Sequence, residues 1–357
     1  MSLDNLREKV DALDKKIVRL LNDRTKVAVA IGKIKRKKGQ EIYAPAREKM
    51  VLETIAKLNH GPLPAEALQA IYREIMSASL TLEHPFKIAY LGPLATFTHE
   101  AARSRFGTSV DYVPCETITD VFTSVQKRDT LYGVVPIENS TEGAVTHTLD
   151  QFVETPLKIC AEIYLPISLH LMALGDRKQV KRIYSKAEVF GQCRRWLHSH
   201  MPGVDTIAVS STARAAEMAS REPDSAALAG ALAVDLYGLK QLARDVQDLG
   251  GNVTRFLVIG KNFGKPTGDD KTSVYFAVRH KVGALHDALT TLKQNSVNMS
   301  KIESRPSRTK AWEYYFFVDL EGHAADARMQ KALAEMAEHC ILLTILGSYP
   351  KAKGREL

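Results

Sequence analysis

The stretch Leu131–Gly143, LYGVVPIENSTEG, decides how the middle of this chain is read. Leu131–Ile137 is a short apolar run that reads as a strand, and Glu138-Asn139-Ser140-Thr141-Glu142-Gly143 is the polar loop it delivers. The same event occurs on either side. Phe86–Leu91 (FKIAYL) reads as a strand, then Gly92-Pro93, then TFTHEAA as a helix start capped by Thr96 or Thr98. Ile207–Val209 leads through Ser210-Ser211-Thr212 into the helix ARAAEMA. Strands that end in small hydroxyl residues at helix starts present N–H groups and hydroxyls to an anion, with the helix dipole's help. Ordinary capping explains any one of them. The three together favour a carboxylate site in an α/β domain, at the strand ends.

Working toward the N-terminus, the period changes from two to seven. Leu6, Leu13, Leu20, Val27 and Ile34 form one apolar rail, and Leu3, Val10, Ile17 and Ile31 form the other, with Arg24 in line. The pattern predicts one helix over about residues 4–38, with basic residues in its last turn and Gly39 beyond it. Its stripe needs partner helices. Two more helices are expected, Pro45–Leu58 and Pro64–Glu83, before His84-Pro85 breaks the pattern.

A cation at Arg24 is costly in an apolar seam unless paired. A register-setting or snorkelling role is the bland explanation. Lys35 lies about 16 Å from Arg24 along a straight helix, within reach of one ligand, whereas Arg7 and Lys35 are about 42 Å apart. If Arg7 shares that ligand it must come from a second copy of the helix, so the cations favour an intertwined dimer. Residues 1–50 hold 14 Lys/Arg against 7 Asp/Glu, so seven of the eight net positive charges sit here. That field suits a small, multiply anionic substrate. The run Lys35-Arg36-Lys37-Lys38 reads as a solvated helix end rather than a nucleic-acid patch, since no recognition motif accompanies it.

Toward the C-terminus, Asn262–Lys271 is Gly- and Asp-rich and reads as a linker. Beyond it the expected order is strand (Thr272–Val278), helix (Gly283–Gln294), strand (Val297–Ser304), strand (Glu313–Leu320), helix (Ala325–His339) and strand (Ile341–Gly347). This is the βαββαβ order of a ferredoxin-like α+β domain. In all, 357 residues with 45% hydrophobic and 25% charged side chains suit a multidomain globular protein. No apolar run reaches the roughly 20 residues of a membrane span. Cys115, Cys160, Cys193 and Cys340 form no CxxC pair, which fits a reducing cytoplasm and neither zinc nor disulfides.

Three strings carry family resemblances. LREKVDALDKKIVRLLNDR with GKIK and REK resembles the all-α helical class of chorismate mutase, over residues 1–84. The resemblance implies that Arg7 (from a partner chain), Arg24, Lys35, Arg47, Glu48, Ser79 and Glu83 line a chorismate pocket. Arginines suit the two carboxylates of chorismate. The pericyclic rearrangement to prephenate needs no nucleophile, only the compact conformer and stabilised charge on the breaking ether oxygen, with Lys35 as donor. Two positions depart from the pattern. Ala44 stands where an acidic residue is common, and Glu83 stands where some relatives carry glutamine. A glutamate donates there only when protonated, so mutase activity is expected to fall with rising pH and Glu83→Gln to flatten that profile.

GPLATFTHEAA, GVVPIENSTEGAV and GGNVTRF are similar to prephenate dehydratase over residues 86–262. The implied fold is an α/β bilobal one, like periplasmic solute-binding proteins. The implied reaction removes water and carbon dioxide from prephenate with no metal or organic cofactor. It places Thr254 at the leaving hydroxyl, with Arg255 and Phe256 beside it, and Thr96, Asn139, Ser140, Thr141, Ser211 and Thr212 around the substrate. A plain strand position is the bland reading of Thr254. Ser185-Lys186-Ala187-Glu188 stands where relatives often have His-Pro.

Gly283-Ala284-Leu285 and Glu303-Ser304-Arg305-Pro306 look like the signatures of phenylalanine-binding ACT domains, over residues 272–350, with Asn298 between them. The composite expectation is a feedback-inhibited homodimer or homotetramer without nucleic-acid or membrane partners. The alternatives are an arogenate-preferring dehydratase and a non-catalytic amino-acid sensor whose helices only dimerise.

Overall fold

A computed structural model describes residues 2–38, 44–83, 86–307 and 314–352, Glu83 by its backbone alone. The chain divides into two compact units, residues 1–87 with 105–111, and residues 88–104 with 112–357.

The first unit is helical: α1 (Leu3–Lys37), α2 (Pro45–Leu58) and α3 (Ala65–Glu83). Ser2 caps α1 by accepting from Asn5 N at 3.3 Å, and Lys35, Arg36 and Lys37 complement the dipole at its other end. Pro45 opens α2 at a position where its missing N–H costs nothing. Gly39 and His84-Pro85, expected as stops, lie outside the described residues. Both rails of α1 stay open within one chain: Leu6 is 46% exposed, Ile17 52% and Leu20 66%.

The second unit carries three sheets. Its first lobe is built from β1 (Lys87–Leu91), α4 (Phe97–Phe106), β2 (Asp111–Cys115), α5 (Ile118–Lys127), β3 (Tyr132–Asn139), β4 (Gly143–Ala144), α6 (Thr146–Glu154) and β5 (Lys158–Pro166). The second lobe follows with β6 (His170–Ala173), β7 (Arg182–Ser185), α7 (Ala187–Gln192), α8 (Arg194–His200) and β8 (Asp205–Ala208). It continues with α9 (Thr212–Ala219), β9 (Ser225–Ala229), α10 (Leu232–Tyr237) and β10 (Lys240–Ala243). The chain then returns to the first lobe as β11 (Val253–Gly260), giving the strand order β2-β1-β3-β11-β5 there and β10-β6-β9-β7-β8 in the second lobe. The two crossings run side by side, Ile167 N donating to Asn252 O at 2.8 Å. Two sheets joined by a double crossing give the α/β architecture that the strand–helix alternation predicts, in the bilobal form that the family resemblance implies.

The remaining elements are β12 (Asp270–Val278), α11 (Ala284–Gln294), β13 (Met299–Pro306), β14 (Tyr314–Glu321), α12 (Ala327–Glu338) and β15 (Cys340–Pro350). They form the expected βαββαβ unit with antiparallel order β13-β14-β12-β15. The expected linker is shorter than its composition suggests, because Asp270 and Lys271 already belong to β12. One face of this sheet is covered by α11 and α12 through Val274, Phe276, Val318 and Leu320. The other face, through Tyr275, Phe317, Leu346 and Tyr349, joins the core of the first lobe. Among the described residues no helix is long and apolar enough to cross a membrane.

Candidate active sites and effector site

β3 and β11 are antiparallel neighbours, and their register sets Thr254 opposite Asn139 and Arg255 opposite Glu138. The loop after β3 is therefore held against the start of β11, where the chain crosses back between lobes. Asn139 Nδ2 lies 2.7 Å from Thr254 Oγ1 and 2.8 Å from Asn252 Oδ1. Asn139 Oδ1 accepts from Thr141 N, Thr141 Oγ1 and Glu142 N at 2.9, 2.7 and 3.1 Å. Ser140 clamps the returning segment: its N–H donates to Val253 O at 2.9 Å and its Oγ accepts from Val253 N at 3.0 Å. Asn139, Ser140, Thr141 and Thr254, singled out in sequence, thus meet in one place, joined by Asn252, which sequence reading passed over.

The other hydroxyls of the dehydratase set have structural work of their own. Thr96 Oγ1 donates to Leu91 O at 2.9 Å and accepts from His99 N at 3.3 Å, capping α4. Ser211 Oγ accepts from Arg214 N at 3.0 Å and caps α9, whose first residue, Thr212, is buried. The second lobe touches the loop leading into α4, Tyr237 Oη donating to Leu94 O at 3.2 Å. Burial, with Arg103 nearby, pushes the His99 imidazole down to about 4, so it stays neutral beside Tyr90, 4.5 Å away in a stacked pair.

Arg255 and Phe256 correct the sequence reading. Successive strand residues face opposite sides, so Arg255 cannot share a face with Thr254. Its guanidinium is buried at the junction with the third sheet, Nε 2.9 Å from Glu162 Oε2, Nη1 2.6 Å from Asp319 Oδ2 and Nη2 3.0 Å from Tyr349 Oη. Lys271 joins Glu162 at 2.8 Å, and Ser273 donates to Asp319 at 2.5 Å. Burial pushes the Asp319 carboxyl up, but Arg255 and Ser273 outweigh it and hold it below the usual range. Phe256 is 1% exposed and is a core residue.

In the helical unit, Arg24 and Lys35 are both half-buried on α1. Arg7 is exposed and forms a 3.5 Å ion pair with Asp4. Glu48 pairs with Arg105 at 3.1 Å, a partner 57 positions along the chain that no local pattern announces. Ser79 is buried and donates back to Ile75 O at 2.8 Å, and Arg47 at the start of α2 is exposed. Ala44 is the N-cap of α2 and offers no side-chain hydrogen bond. The side chain of Glu83 lies outside the described residues.

In the third sheet, Gly283 caps α11 with φ +78°, a left-handed conformation that strains any other residue. Ala284 is buried and Leu285 packs in the same core, while Asn298 and Ser304 are exposed. On β13, Glu303 and Arg305 face the first lobe, and Ser304 and Pro306 face the other way. Arg305 therefore departs from the expected effector contact: it grips Asp150 of α6 bidentately, Nη2 to Oδ2 at 3.1 Å. Lys301 on the same face pairs with Glu138 at 2.8 Å. Among the described residues no group of three or more His, Cys, Asp or Glu could hold a metal ion.

Three family models match successive segments of this chain. Residues 6–84 match the family described as Chorismate mutase type II, 88–263 Prephenate dehydratase and 272–338 ACT domain. A bifunctional chorismate mutase/prephenate dehydratase of Aquifex aeolicus is 50% identical over 98% of this chain and 98% of its own. A solved prephenate dehydratase from Arthrobacter aurescens in complex with L-Phe superposes with TM-score 0.69 at 34% identity, covering 74% of this chain and 90% of that one. A structure described as a novel type of quorum quenching acylase superposes as well, with TM-score 0.70 at 27% identity, covering 75% and 98%. The architecture alone therefore hosts more than one chemistry. The sequence decides: this chain belongs to the bifunctional chorismate mutase/prephenate dehydratase family.

Proposed function

We propose that the helical unit rearranges chorismate to prephenate and the bilobal domain converts prephenate to phenylpyruvate. The observation that carries the dehydratase reading is the hydrogen bond joining Asn139 of the β3 loop to Thr254 at the start of β11. In the reaction, the carboxylate C–C bond breaks and its electron pair aromatises the ring as the ring C–O bond breaks. Carbon dioxide leaves, and the departing hydroxide takes one proton to become water. Thr254 Oγ1 supplies or relays that proton and is reprotonated from solvent. Neither step requires a metal or organic cofactor.

For the mutase step, Arg24 and Lys35 hold the carboxylates and the ether oxygen of chorismate, with Arg47, Glu48, Ser79 and Glu83 as further candidates. The exposed rails of α1 support a homodimer in which a second copy covers them and brings Arg7 to the site. Phenylalanine is the effector, held near Gly283, Ala284 and Leu285 with Asn298 and Ser304. The four cysteines form no disulfide with one another, which suits a reducing cytoplasm.

Purified protein given chorismate in the presence of a chelator is expected to yield prephenate and then phenylpyruvate, and added phenylalanine to suppress the second product. Absence of turnover with either substrate would leave the non-catalytic sensor as the reading, and faster turnover of arogenate than of prephenate would reassign the substrate.

A further inference from the structure

The pattern around Asn139 fixes more than position. Its Oδ1 receives two backbone N–H groups, those of Thr141 and Glu142, and a backbone N–H only donates. The amide orientation is thereby determined, and Nδ2 must be the atom that meets Asn252 and Thr254. That nitrogen carries two hydrogens and accepts nothing. One hydrogen goes to Asn252 Oδ1 at 2.8 Å and the other to Thr254 Oγ1 at 2.7 Å. Thr254 is therefore the acceptor in this contact, and its single proton points elsewhere. Among the described residues the hydroxyl has no other hydrogen-bond partner.

Asn252 is in turn placed by the double crossing between lobes. Its carbonyl accepts from Ile167 N at 2.8 Å, and Ser140 clamps Val253 next to it. Its Oδ1 supplies an acceptor that draws one Asn139 hydrogen away, leaving the second aimed at Thr254. Asn139, with both donors and its acceptor engaged inside the protein, has no hydrogen left for a substrate carboxylate.

We propose that Asn139, oriented by Asn252, is a positioning residue that turns the Thr254 proton outward, so that the hydroxyl donates a hydrogen bond toward the leaving hydroxyl of prephenate. The proposal rests on the dehydratase reading of Thr254 and deepens it: Asn139 belongs to the proton donor's support rather than to carboxylate binding. A threonine hydroxyl is a weak acid and an equally good acceptor. Its value as a donor is raised by a neighbour that occupies one of its two lone pairs and turns its proton away from that side.

The test uses steady-state kinetics on the full chain, with the urea-unfolding midpoint of the second unit in the same sample as the control for folding. Asn139→Asp keeps the shape and the Oδ1 contacts but cannot donate, so the Thr254 proton turns toward the new carboxylate. The kcat for prephenate is expected to fall by about 100-fold, the size of losing one aimed donor, with KM within about threefold. Asn252→Asp keeps an acceptor for Asn139 and Asn252→Leu does not, so kcat is expected to be higher in Asn252→Asp than in Asn252→Leu by about tenfold or more. A raised KM with unchanged kcat in Asn139→Asp would overturn the proposal and restore Asn139 as a carboxylate ligand. Equal kcat in Asn252→Asp and Asn252→Leu would also overturn it. Thr254→Ala separates the two levels. If it retains wild-type kcat, the reading of Thr254 itself fails. If it is inactive while Asn139→Asp is fully active, only the positioning role fails.

Discussion

At the scale of single residues, Thr254 and Arg255 show what a motif conveys and what it omits. The string GGNVTRF brings both to attention, yet a strand turns neighbours to opposite faces. Thr254 meets Asn139, whereas Arg255 is buried against Glu162, Asp319 and Tyr349. The alternation was legible once Val253–Ile259 was read as a strand. The partners were not, because they lie 64 to 94 positions away. Removing one member of such a cluster leaves the others charged and dry. Arg255→Met is expected to cost about 3–5 kcal/mol, measured by urea unfolding followed in the second unit. Asp319 adds a pH dependence of known sign. Its folded carboxyl is held below the ordinary range, so the stability it lends is present above that range and is lost as pH falls toward the folded value.

At the scale of elements, the long helix was the most legible part of the chain. Its two apolar rails and its basic last turn are local signals, and α1 forms over Leu3–Lys37 as they require. What covers the rails could not be read locally, and within one chain Leu13, Ile17 and Leu20 remain more than half exposed. Ile17→Asp with Leu20→Asp is expected to leave α1 unable to pair with a second copy. Light scattering should then report monomer from this unit, and chorismate turnover should fall by about 100-fold or more, because the proposed dimer would no longer bring Arg7 to the other copy's Arg24 and Lys35. Unchanged mass and unchanged turnover would refute the shared site. Strand β13 was harder to read. Glu303-Ser304-Arg305-Pro306 looked like one signature, but period-2 geometry splits it, and Arg305 is used against Asp150.

For the whole molecule, composition and period changes announced helices, then an α/β region, then an α+β region. They did not announce that the last two form a single compact unit. The apparent linker conceals this, because the joining contacts are made by side chains far apart in sequence: Lys158 to Ile345 O at 2.6 Å, Lys301 to Glu138, Lys271 to Glu162. Cutting the chain after Asn262 is expected to yield a dehydratase fragment that aggregates. It would bare Ile159, Glu162 and Arg255, and insoluble expression checked by fractionation should follow. A soluble fragment with full prephenate turnover would count against that dependence.

Gly347 carries this furthest. A Cβ added there would collide with the backbone of Ile159, so β15 and β5 meet main chain to main chain. A contact with no side chain in it leaves no side chain to adjust. Exchanging this regulatory segment for one from a distant relative would succeed only if the donor brings glycine at that position and an acid where Asp319 stands. In a breeding programme of chimeric enzymes, these two positions would sort viable grafts from dead ones before any effector is added.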